Sequence, residues 1–123
     1  MKTVFVVGRD WKFRALLRAE LREEGYDARG FETLEEAATQ LDARPAALVF
    51  DTAESAAADA KELAQLATRL RVLVIAAADE PLPATEARVL RRPVPLTAIV
   101  AVVRELSGAA PEPPLRPPDS LLD

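Results

Sequence analysis

One acid stands out by its setting. Asp51 directly follows the apolar run Ala46-Ala47-Leu48-Val49-Phe50, so a buried strand would deliver it at its C-terminal end. A carboxylate held there can ligate a hard cation, pair with a base or serve as an oxygen nucleophile. Groups that such chemistry would enlist follow other apolar runs: Gly8-Arg9-Asp10 after Val4-Phe5-Val6-Val7, and Arg91-Arg92-Pro93 after the segment 87–90. The chain has no Cys and no His. That excludes disulfides, thiolate chemistry, imidazole bases, Ser/His/Asp triads and zinc sites of the Cys/His type. A metal would need oxygen ligands, which favours magnesium or calcium. Gly8-Arg9 is no complete phosphate loop, since a single Gly is a weak signal, and no paired-carboxylate arrangement of the glycosidase kind is discernible.

The elements that would position these groups follow from apolar spacing. The runs 4–7, 46–50 and 72–75 are continuous and rich in Val, Leu, Ile and Phe, as strands buried on both faces are. Residues 26–31 make a polar-interrupted strand near an edge, and 87–90 a weak further one. Between them lie helical patterns. Residues 12–24 carry Phe13, Leu16, Leu17 and Leu21 on one face, with Gly25 as the stop. Thr33-Leu34-Glu35-Glu36 is a capping box that opens a helix ending before Pro45. Residues 55–70 form an Ala-rich helix with Leu63, Leu66 and Leu70 facing a core, and 95–106 the last helix, stopped by Gly108. Strands alternating with helices predict an α/β fold, a doubly wound parallel sheet with helices on both faces. In such sheets ligands gather at the carboxyl ends of the strands. Gly8, Arg9, Asp10, Asp51, Ala76, Ala77, Arg91 and Arg92 then share one rim.

With those residues in place, the chain resembles the receiver domains of bacterial two-component response regulators over residues 2–106. Val4-Phe5-Val6-Val7 with Arg14, Leu16 and Leu17 is similar to the family's first strand and helix. Gly25-Tyr26-Asp27 is similar to its second-strand lead-in, and Leu48-Val49-Phe50-Asp51 to the strand ending in the phosphoacceptor aspartate. Val72-Leu73-Val74-Ile75-Ala76-Ala77 looks like the fourth strand, and Arg92-Pro93 like the Lys-Pro pair closing the fifth. The resemblance implies a flavodoxin-like five-stranded sheet in the order 2-1-3-4-5, a cis bond before Pro93 and a role in signal transduction without catalysis.

The departures bear on that role. The family's magnesium-holding acid pair matches Gly8 and Arg9, its phosphoryl-sensing hydroxyl residue matches Ala76 and its lysine matches Arg92; only Asp51 is unaltered. Between the fourth and fifth strands the chain has room for a shortened fourth helix at most, with Pro81 and Pro83 working against even that. Asp51 contributes −1, and Arg9 and Arg92 together offer +2, so the site balances its charge without a metal. Two readings stand at this point. Either Arg9 or Arg92 takes the metal's place and pairs with Asp51, giving a degenerate pseudo-receiver with no cofactor, or Asp51 is an inherited carboxylate without a present role. An atypical phosphoacceptor site, with Asp51 as nucleophile and magnesium rearranged around it, is the alternative from another class.

Other features have plainer readings. Asp10, one position past the matched pair, is placed to point outward. Trp11 is read as a helix-start side chain packed on its neighbours, and Arg88, Arg91 and Arg92 as surface charge apart from the pairing role of Arg92. Ile99, Val102, Val103 and Leu106 make the last helix apolar beyond one stripe, which marks a candidate partner or homodimer surface. Five of the ten prolines fall between Pro111 and Pro118, so the expected organisation is a receiver-like domain over residues 1–107 and a flexible proline-rich tail over 108–123. That tail, together with the last helix, is also compatible with a scaffolding element. The balance of 16 Lys and Arg against 20 Asp and Glu, a net charge of −4, argues against nucleic acid as partner. Neither a leader nor a membrane span is evident, since a span needs about 20 apolar residues. The expectation is a cytoplasmic module with a protein partner.

Overall fold

A computed structural model describes residues 1–82 and 86–108 of the chain. Five strands, β1 (Thr3–Val7), β2 (Asp27–Phe31), β3 (Ala47–Asp51), β4 (Val72–Ala76) and β5 (Arg88–Arg91), form one sheet in the order β2-β1-β3-β4-β5. All four pairings are parallel. β3 and β4 are buried along their whole length, which is why they read as unbroken apolar runs. β2 and β5 are the edges and carry the polar residues.

Helix α1 (Trp11–Glu23) starts where the Asp10 side chain accepts hydrogen bonds from the amides of Lys12 and Phe13. It ends at Gly25, whose φ of +96° needs a residue without Cβ. α2 (Leu34–Ala38) opens on the predicted capping box: Thr33 Oγ1 accepts from the Glu36 amide at 3.1 Å. The Glu36 carboxylate reaches back one residue further than a capping box requires, to the Glu32 amide at 2.9 Å. α2 is only five residues long and passes into a 3₁₀ turn at Leu41–Ala43. α3 (Asp59–Ala67) is shorter than the predicted 55–70, and α4 (Leu96–Ser107) ends at Gly108 in the left-handed conformation.

α1 and α4 cover one face of the sheet, where Leu17, Leu21, Ile99 and Val103 pack on Val4, Val6, Val49 and Leu73. α2 and α3 cover the other, with Leu34, Leu63 and Leu66 on Phe5, Leu48 and Val74. Three expectations are corrected here. Leu16, read as facing the core, is 59% exposed, because the α1 stripe that meets the sheet is centred on Leu17 and Leu21. Ile99, Val102 and Val103, read as a partner surface, are buried against the sheet, and Leu106 is half-buried on the same core. α4 carries a wide apolar stripe because much of its girth is covered; Thr97, Ala101, Arg104 and Glu105 face outward. Between β4 and β5 the described residues, 77–82 and 86–87, form turns and no helix, so the shortened fourth helix is absent from them. The tail segment 109–123 lies outside the described residues. Among the described residues no helix is long and apolar enough to cross a membrane.

Candidate functional site

The register assembles the rim. Val7 pairs with Phe50, and Asp51 with Ile75, so the loops after β1, β3 and β4 leave the sheet side by side. Gly8 stands against Asp51 so closely that a Cβ at Gly8 would lie 2.9 Å from Asp51 Cβ. Only glycine tolerates that approach without a shift of one strand end.

Asp51 is 2% exposed. A buried carboxylate needs compensation, and Arg92 provides it: the guanidinium Nη2 lies 2.9 Å from Asp51 Oδ1. The Ala53 amide donates to the same oxygen at 3.0 Å. Asp51 Oδ2 is buried and has no hydrogen-bond partner among the described residues. Arg92 is held in turn. Its amide donates to the Ala76 carbonyl at 2.8 Å, its guanidinium lies 4.9 Å from the centre of the Phe13 ring, and the following Pro93 is joined by the expected cis bond. The side chain keeps 33% of its surface in water, so its charge is anchored at one end and solvated at the other.

Of the two arginines proposed for Asp51, the structure brings only Arg92 to it. Arg9 is exposed and turns to Asp59 at 3.8 Å. Asp10 caps α1. Ala76 is fully buried at the end of β4 and contributes its carbonyl to Arg92. Trp11, read as packed on its neighbours, is 63% exposed, with the Lys12 ammonium 5.9 Å from its ring centre. The three arginines near β5 disperse: Arg88 pairs with Glu105 at 3.2 Å, and Arg91 donates to the carbonyls of Ala77 and Glu80.

Sequence reasoning missed Thr52, Glu80 and Phe13. Thr52 Oγ1 donates to Glu80 Oε1 at 2.7 Å, and the Ala77 amide donates to the same oxygen at 3.0 Å. The turn after β4 is thereby tied to the residue next to Asp51. A hydroxyl does stand at this rim, one position after Asp51 and not at Ala76. No local pattern announces a contact spanning 28 residues; the only signal was a Thr following the Asp.

This arrangement is the receiver fold: a 2-1-3-4-5 parallel sheet with an aspartate buried at the end of the third strand. Solved receiver domains share it. The receiver domain of the Francisella response regulator 1452 superposes with a TM-score of 0.74 at 16% identity, covering 90% of this chain and 100% of that one. The receiver domain of nitrogen regulatory protein C gives 0.71 at 21% identity, covering 89% and 96%. A response regulator receiver protein from Burkholderia phymatum gives 0.67 at 21% identity, covering 88% and 96%. No family model matches the chain, and no curated protein matches it. At these identities the likeness establishes the fold.

Proposed function

We propose that this chain is a receiver-like signalling module that acts through protein contacts and is not switched by aspartyl phosphorylation. The observation that carries the reading is the Arg92 guanidinium 2.9 Å from Asp51 Oδ1. A fixed cation occupies the carboxylate that a phosphoacceptor would offer to a metal and a phosphoryl donor. Magnesium demands near-octahedral oxygen ligands, usually with one or two carboxylates. Beside Asp51 stand a glycine at 8, an arginine at 9 that turns away and an aspartate at 10 whose carboxylate caps α1. No group of three Asp or Glu suited to a metal exists among the described residues. The donor set therefore does not suit the ion, and the module works without a cofactor. Residues 1–107 form the working domain and 108–123 a tail. The module is not an enzyme, it operates in the cytoplasm, and its partner is a protein, not nucleic acid or membrane.

The test is a magnesium titration with and without beryllium fluoride, a phosphoryl mimic, followed by Trp11 fluorescence and by the Asp51 amide resonance. The expected result is no saturable change up to millimolar metal. A saturable change lost in Asp51→Asn overturns the reading.

One observation favours a second reading. Among the described residues the buried Asp51 Oδ2 has no hydrogen-bond partner, so this oxygen is not engaged by Arg92 and would act as the nucleophile once exposed. In that case it would attack the phosphorus of acetyl phosphate, expel acetate and form an acyl phosphate. The same titration separates the two. A scaffold or homodimer built on Ile99, Val102, Val103 and Leu106 has no such support, because three of these side chains are spent on the core.

A further inference from the structure

The side of α1 turned away from the sheet carries a pattern. Lys12, Leu16, Ala19 and Glu23 are spaced three or four residues apart, so at 3.6 residues per turn they share one stripe about 60° wide. All four are exposed, on the side away from the buried Leu17 and Leu21. Leu16 is 59% exposed, although a leucine on a helix beside a core is ordinarily covered. It borders an apolar trough of Phe13, Pro93, Val94 and Leu96. Among the described residues neither the Lys12 ammonium nor the Glu23 carboxylate has an ion-pair partner.

This stripe is its own complement. Let a two-fold axis set α1 antiparallel against α1 of a second copy, with the axis midway between Leu17 and Arg18. Lys12 then stands opposite Glu23 of the second copy, and Leu16 opposite Ala19, and each contact is made twice. A cation meets an anion, and a large side chain meets a small one that lets the helices approach. A parallel pairing would instead set Lys12 on Lys12 and Glu23 on Glu23, which is unfavourable. Trp11, 63% exposed, and Arg22 share one flank of the stripe. The same two-fold axis brings the Arg22 of one copy to within about 3 Å, along the helix axis, of the level of the other's Trp11, close enough for a cation–π contact.

We propose that this face is an interface between two copies of the chain, formed by antiparallel packing of α1 on α1, with Leu16 seated over Ala19 and Lys12 paired with Glu23. The occupant is a second copy because both halves of each contact lie on the one face, as a two-fold interface requires. Such a contact is small against the roughly 1,200–2,000 Å² of a stable interface, so the dimer is weak and forms with rising concentration. The helices run in opposite directions, so the two Asp51 rims point to opposite ends of the dimer and both stay open. This inference does not depend on whether Asp51 accepts phosphate.

Sedimentation equilibrium of the full-length chain, from micromolar to millimolar, reads the association. The expected result is a monomer–dimer equilibrium that Lys12→Glu and Glu23→Lys each weaken at least several-fold, because each sets like charges opposite one another twice. Both positions are exposed and clear of the core, so circular dichroism of the two variants should match that of the native chain. An equimolar mixture of the two variants restores the dimer, since the reversals compensate in the mixed pair, and Leu16→Asp added to both abolishes it again. A monomer at every concentration overturns the proposal. So does a dimer indifferent to the single reversals, or one that mixing fails to restore. Magnesium and beryllium fluoride are omitted throughout, so failure here is separable from failure of the phosphorylation-independent reading.

Discussion

Arg92 and Asp51 form a pair in which the two ends are solvated unequally. Asp51 has no access to water, and a third of Arg92 does. Removing Arg92 leaves a buried charge with one amide donor, whereas neutralising Asp51 removes the charge and leaves Arg92 free to hydrate. Arg92→Ala is expected to destabilise the fold by about 3 kcal/mol, the low end for breaking a buried pair. Asp51→Asn is expected to cost about 1 kcal/mol, as for a lost hydrogen bond. Arg92→Ala made in the Asp51→Asn background should cost far less than it does alone, since contacting residues do not add. Urea unfolding of the four proteins at one pH measures the cycle. Additivity would mean that the ion pair does not hold the rim together.

At the scale of elements, the polar contacts at the sheet margins do specific jobs. Arg18 and Arg22 on α1 both donate to the Ala28 carbonyl on the edge strand β2. An edge whose carbonyl is already taken is a poorer template for a foreign strand. Gly30 makes room for this, since a Cβ there would lie 2.9 Å from Arg18 Cδ. Burial, and then the neighbouring Arg22 and Arg14, lower the Arg18 pKa. On the same strand the hydrogen bond from Arg29 is the chief cause holding Asp27 below the usual carboxylate range, with Thr3 adding a weaker one. A carboxyl with a depressed folded-state pKa stabilises the fold above its unfolded value, near ~3.9. That contribution is lost as pH falls through the lower folded value. Arg29→Gln is expected to raise the Asp27 titration midpoint and narrow the acid range over which this stabilisation is lost. Carboxyl carbon NMR against pH reads the shift, and an unmoved midpoint would remove Arg29 as its cause. At the opposite side of the sheet Glu80 ties the turn after β4 to Thr52 and to the Ala77 amide. Arg91 holds the same turn through two carbonyls. Among the described residues this tethered turn stands where the resemblance implies a shortened helix.

The whole molecule is a sheet with one core on each face, and α4 belongs to the first of them. Its branched apolar residues Ile99, Val100, Val102 and Val103 face the sheet, and Thr97, Ala101, Arg104 and Glu105 face solvent. Ile99→Ala is therefore expected to cost about 2–5 kcal/mol through loss of burial and the cavity left behind. Leu16→Ala, on the exposed trough, should change unfolding stability several-fold less. Thermal or urea unfolding of both variants checks the contrast. Equal losses would mean that Leu16 is covered as fully as Ile99 in solution.

The sequence alone determined the strand-helix alternation, the capping of α2, the stop at Gly108 and Asp51 at a buried strand end. Each is a local matter: apolar periodicity, a hydroxyl or a glycine at a terminus, a turn residue. With the resemblance it also anticipated the sheet order and the cis bond before Pro93. Only the tertiary structure decided which arginine meets Asp51. Arg92 follows β5, two strands from β3, reaches Asp51 past the end of β4 and is braced by Phe13 and the Ala76 carbonyl, while Arg9 follows β1, the direct neighbour of β3, and yet turns to Asp59. Both have the same charge and similar reach, so type and spacing could not separate them. The same holds for Leu16. Which side of an apolar helix meets the sheet depends on how the helix is rotated, and that is set by packing against residues distant in the chain.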